Sequence, residues 1–172
     1  QGNPASVLYG NEESNLSERH GGSFGDEGFY RVYAKAFNRE NSRKPGGGDT
    51  YDDWDGIRGG FRADWGDEFT LQGDAYRNST HQRKAHYLLV APYMPIENQT
   101  IVYDGINLLG RWTDKHADGS QLSVQSYIDW TRRDEPLNFI DDRKTYDVEA
   151  QYNFAAMGAH ELVVGAGIRY MT

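Results

Sequence analysis

Two histidines, His81 and His86, stand close in sequence with Arg83 and Lys84 between them. Side chains of these types could contact a metal chelate or an anionic small ligand, or could belong to a flexible basic loop. They do not read as a metal site, because a protein-held metal usually needs three or four ligands in fixed geometry. Asp49, Asp52, Asp53 and Asp55 offer oxygens of the kind calcium prefers, but their spacing matches no known calcium loop, and a solvated, turn-rich loop accounts for them. Arg43 and Lys44 beside Gly46-Gly47-Gly48 suggest phosphate binding, yet no P-loop pattern follows. The adjacent carboxylates Asp52-Asp53 and Asp141-Asp142 invite a glycosidase reading. Neighbours on a strand point to opposite faces, so neither pair can flank one bond. No Ser-His-Asp grouping stands out and the chain has no cysteine. The sequence therefore predicts no enzyme, no cofactor and no metal.

A larger set of charges is more informative: Arg31, Lys35, Arg58, Arg62 and Asp74, then Arg111, Asp129, Glu149 and Arg169. Each sits on the polar stride of a segment that alternates with period two. Tyr30, Val32, Ala34 and Ala36 alternate with Arg31, Tyr33 and Lys35. Ile57, Gly59, Phe61, Ala63 and Trp65 alternate with Arg58, Gly60, Arg62 and Asp64; Phe69, Leu71, Gly73 and Ala75 oppose Thr70, Gln72, Asp74 and Tyr76. The same stride returns around Leu108 to Trp112, Leu122 to Trp130, Tyr146 to Phe154 and Leu162 to Tyr170, with weaker runs near Ala5 to Tyr9 and Leu16 to Phe24. The expected architecture is all-β, an antiparallel meander of about nine strands.

The breaks are of two kinds. Tight, Gly- and Asp-rich breaks fall at Gly25 to Gly28, Gly66 to Glu68, Lys115 to Ser120 and Met157 to His160. Long polar ones run over Asn38 to Asp53, Ser79 to about Gly105 and Arg133 to Lys144. Their alternation places the tight turns at one end of the sheet and the long loops at the other.

The 172 residues are enough for one domain, and 20 Gly with 12 Tyr, 7 Phe and 4 Trp argue against a helical bundle. A formal charge of −8 makes nucleic acid an unfavourable partner. The longest apolar run, Tyr87 to Ala91, is stopped by Pro92, far short of the roughly 20 residues of a spanning helix. A spanning strand needs only about 9 to 11. Gln1, Gly2, Asn3 and Pro4 lack the basic head and apolar run of a secretory signal, so an exported protein would be seen here in mature or excised form.

Alternation alone also suits a soluble secreted β-sandwich that binds carbohydrate through exposed Tyr and Trp. Two features favour lipid instead. The apolar face is built of small and aromatic residues rather than dense Ile, Leu and Val, and Phe29, Tyr30, Trp65, Phe69, Trp112 and Phe154 gather beside the tight turns. Short turns at one end, long loops at the other and two-faced strands describe an outer-membrane barrel whose polar face lines the interior. Barrels of this kind normally have even strand numbers, so about nine strands suggest a segment of a larger transmembrane β-barrel.

The sequence at this point resembles the barrel of TonB-dependent outer-membrane receptors. Gly25-Asp26-Glu27-Gly28 followed by Phe29-Tyr30-Arg31-Val32-Tyr33-Ala34-Lys35-Ala36-Phe37 is similar to the early barrel hairpin that follows the plug domain. Asp53-Trp54-Asp55 through Gly59-Gly60-Phe61-Arg62-Ala63-Asp64-Trp65, then Phe69-Thr70-Leu71-Gln72-Gly73-Asp74-Ala75-Tyr76, resembles the next. Asn107-Leu108-Leu109-Gly110-Arg111-Trp112, Tyr127-Ile128-Asp129-Trp130-Thr131-Arg132, Tyr146-Asp147-Val148-Glu149 and Gly165-Ala166-Gly167-Ile168-Arg169-Tyr170 continue the likeness in order. The resemblance covers nearly the whole chain, residues 1–172 as one segment. It implies a location in the outer membrane of a Gram-negative bacterium, contact with lipid, and energy-coupled uptake of a small ligand such as an iron-siderophore complex. It also implies an energy-coupling protein engaged through a plug region that these residues do not include, and about twice as many strands in the complete barrel. The nine charges would then line the lumen, with His81 and His86 in an external loop.

Overall fold

In the computed structural model, which describes residues 3–156 and 158–172, all nine strands join one antiparallel sheet in sequence order. They are β1 (Ala5–Tyr9), β2 (Glu13–Phe24), β3 (Gly28–Arg39), β4 (Trp54–Trp65), β5 (Phe69–Ala85), β6 (Ile96–Lys115), β7 (Gln121–Glu135), β8 (Phe139–Asn153) and β9 (Val163–Met171). The sheet is a meander and does not close into a barrel: β1 and β9 are its two edges. No second sheet covers Val124, Val148 or Val164 among the described residues, so the two-layer sandwich is not formed.

The reason for the strands is the alternation itself. Register carries Val32 opposite Phe61, Phe61 opposite Gly73, and Gly73 opposite Leu108. The row continues through Ile128, Tyr146 and Tyr170. Directly opposed residues share a face, so this is one apolar stripe crossing seven strands. It remains uncovered: Leu108 is 40% exposed, Ile128 45% and Ile168 73%, while Ile101 is the one buried hydrophobic side chain among the described residues.

Two tight turns repeat the same Gly-Asp-Glu triplet between β2 and β3 and between β4 and β5. Gly25 (φ 59°) and Gly66 (φ 54°) adopt the left-handed backbone that a residue with a Cβ avoids. The break predicted at Met157 to His160 falls partly outside the described residues, since Met157 is not among them.

Three expectations need correction. Ser79 to Gly105 is mostly strand, because β5 and β6 stay paired as far as Ala85 opposite Ile96. Arg133 to Lys144 is likewise a hairpin paired up to Glu135 opposite Phe139. Polarity on both faces suggests a loop, but the hydrogen-bonded ladder needs no apolar face once the strands are held in register. Finally, Phe29 lies opposite Asp64, on the polar face, and does not join the apolar row beside the tight turns.

Candidate functional site

The pairing places all nine predicted charges on one face. Arg31 opposes Arg62, which opposes Gln72, and that row ends with Asp147 opposite Arg169. Asp74, Asn107 and Asp129 form the next row, and Lys35, Arg58 and Tyr76 the one beyond. Arg111 and Glu149 sit towards the tight turns, joined through Gln125.

Contacts within this face are specific. Arg58 donates to Asp74 at 2.8 Å and to the Tyr33 hydroxyl at 3.1 Å. Arg62 grips Asp64 through both Nε and Nη2, and the Thr70 hydroxyl donates to the same carboxylate at 2.7 Å. Arg111 donates to Gln125 Oε1 at 2.6 Å, Arg169 to Asp147 at 2.9 Å, and the Tyr127 hydroxyl to Asp129 at 3.0 Å. Lys35 has the Phe37 ring 5.9 Å from its ammonium but no carboxylate. Arg31 and Glu149 make no side-chain hydrogen bond or ion pair among the described residues.

Sequence reasoning missed the arrangement of like charges. Arg31 lies directly opposite Arg62, and Lys35 directly opposite Arg58. Such pairs are destabilising when nothing relieves them. In both, the β4 arginine has a carboxylate while the β3 cation has none. Arg19 was also missed, because the polar stride of β2 (Ser17, Arg19, Gly21, Ser23) is interrupted on its other face by Glu18 and His20. Positive charge therefore concentrates on β2 to β4, and Asp74, Asp129, Asp147 and Glu149 weight the rest of the face negative.

Glycines opposite aromatic rings shape this face. Tyr33 lies over Gly60 and Tyr76 over Gly105; a Cβ would meet the ring at 2.6 Å and 2.4 Å respectively. The missing side chain lets each ring lie flat along the sheet, and Tyr33 thereby reaches Arg58.

Beyond the apolar stripe, the paired hairpins carry a second polar cluster. Glu135, only 5% exposed, accepts from Lys84 and Arg133, each at 2.7 Å, and from Asn138 at 3.0 Å. The Lys84 hydrogen bond holds its carboxyl below the ordinary carboxylate range, outweighing the opposite effect of desolvation. Arg133 also stacks between Tyr103 and Phe139, at 5.4 and 5.1 Å from their ring centres.

The candidates expected in loops do not converge, and His81 lies within β5, opposite Thr100, rather than in a loop. His81 Nδ1 lies 2.8 Å from Asp53, with the Tyr51 ring edge-on, but without the alignment of a hydrogen bond. His86 instead meets Gln99 at 2.7 Å. Asp52 accepts from Thr50 and from the Ser42 backbone, so it organises its own loop. Hydrogen bonds from Thr50, then Ser42, hold it below the usual carboxylate range. Gly46, Gly47 and Gly48, all at positive φ, form the hairpin tip where Lys44 N bonds Gly48 O. Among the described residues no cluster of three or more His, Cys, Asp or Glu could hold a metal ion.

No protein-family model, curated protein or solved structure matches this chain.

Proposed function

We propose that the chain is part of the barrel wall of a TonB-dependent outer-membrane receptor, taking up a small ligand such as an iron chelate with energy supplied through a plug-bound coupling protein. The observation that carries the reading is the height of the apolar band. On β6, Asp104 and Asp114 bound the apolar stride of Ile106, Leu108, Gly110 and Trp112. Ten residue steps of about 3.3 Å, tilted by about 40°, give a band roughly 25 Å tall, the hydrocarbon height of such a barrel. Trp65, Phe69 and Trp112 stand side by side at its tight-turn edge, with Phe24 packed on Trp65 at 5.3 Å. Such rings suit a lipid headgroup boundary.

The open edges support a larger assembly. In hydrocarbon every backbone donor needs a partner, so β1 and β9 require further strands to complete a closed wall. In that wall the nine charges face the interior and the long β5–β6 hairpin stands outside the membrane.

The reading frame around these residues tests the proposal. A plug-type domain on the amino-terminal side and further amphipathic strands after β9 are expected. A frame encoding only this nine-stranded sheet would overturn it.

A further inference from the structure

We propose that Arg19 and Arg31, backed by Arg62, bind a small oxyanion carrying at least two negative charges, of carboxylate or phosphate type. The site stands on the geometry of the polar face and does not depend on what the opposite face meets. Gly21 lies directly opposite Arg31 and, with Arg19, Arg31, Phe29, Arg62 and Asp64, lines a depression of about 340 Å³. That volume is at the lower end of small-ligand sites, which suits a compact anion.

The charges within it are out of balance. Asp64 is committed to Arg62 and to Thr70, so it satisfies one guanidinium. Arg31, directly opposite Arg62, is left with its fork of donors unused. Arg19 pairs with Tyr33, one row beyond Arg31, and adds to the same depression a second guanidinium with no side-chain partner among the described residues. Three other arginines of this face, Arg58, Arg111 and Arg169, each have an acceptor within 3.0 Å. An oxyanion accepting from Arg19 and Arg31 would relieve the Arg31–Arg62 repulsion and supply the two-oxygen acceptor that guanidinium forks match.

Arginine footprinting on the full chain in detergent micelles tests this. Phenylglyoxal modification is followed residue by residue with citrate, with inorganic phosphate, and with chloride at matched ionic strength. Citrate or phosphate should slow modification of Arg19 and Arg31 several-fold relative to Arg111 and Arg169, and the more effective of the two names the ligand's chemistry. Arg31→Gln should weaken the protecting anion by roughly tenfold or more, with Arg31→Lys intermediate. Equal protection by chloride, uniform protection of all four arginines, or none, would overturn the site. Should a variant not fold, the comparison within the unaltered chain still decides.

Discussion

Moving an arginine by one residue along β6 should reverse its effect. Leu108 lies four steps from Asp104 and six from Asp114 on the apolar face, which puts it about 10 Å below one edge of the band and about 15 Å above the other. It therefore sits near the bilayer midplane. Leu108→Arg should cost about 2 to 4 kcal/mol there, lowering the folding equilibrium constant by roughly 30- to 700-fold. Asn107 faces the other way, directly between Asp74 and Asp129. Asn107→Arg gains two carboxylate neighbours and should be neutral or slightly stabilising. Leu122, opposite Asp114 at the band's edge, should tolerate arginine at a cost of about 0 to 1 kcal/mol. Urea titration of the complete barrel that contains these strands, folded into lipid vesicles, measures all three. The depth dependence is the signature of lipid, since a protein core would penalise Leu122 and Leu108 alike. Equal costs at those two sites, or a cost at Asn107 matching that at Leu108, would refute the reasoning.

Other consequences follow from particular contacts. Gly60→Ala should destabilise by about 1 to 3 kcal/mol, because the new Cβ would meet Tyr33 at 2.6 Å and Asp74 at 2.7 Å, whereas Gly59→Ala, with only Tyr33 O at 3.5 Å, should be mild; urea midpoints decide. Glu135 titrates below its ordinary value near 4.5, so its stabilisation of the β5–β7 hairpins is present above that pH and is lost as pH falls through the lowered folded value. Amide exchange near Lys84 should accelerate in that acid window, and Glu135→Gln should remove the pH dependence. Asp52→Ala should free the loop that Asp52 ties through Ser42 and Thr50, and trypsin should then cut after Arg43 faster than in the unaltered chain.

The strands and their faces were legible because period two is a local property. Once the apolar stride of residues 57–65 is seen, the side of Arg58 and Arg62 follows without tertiary information. Register was not legible, and the site depends on it: that Arg31 faces Arg62, or Tyr33 faces Gly60, is set by turn lengths acting across separate strands. The long hairpins were misjudged for a related reason. Ser79 to Ala85 and Ile96 to Gly105 carry no apolar face, and only their mutual pairing shows them as strand. Phe29 departs from the aromatic row because its parity is that of Asp64 and Arg31, which neither its type nor its nearness to a turn reveals.

Nitroxide labels offer the most direct test of what solvent meets each face, and the absence of native cysteine makes single labels simple to place. With the complete barrel that contains these strands in lipid vesicles, collision rates with oxygen and with a water-soluble nickel chelate are read at positions 106 to 110 in turn. The two should alternate in opposite senses: labels at 106, 108 and 110 meet oxygen and not nickel, while those at 107 and 109 meet nickel. Nickel reaching Leu108 as freely as Asn107, or neither reagent alternating, would contradict the claim that this sheet turns one face to hydrocarbon.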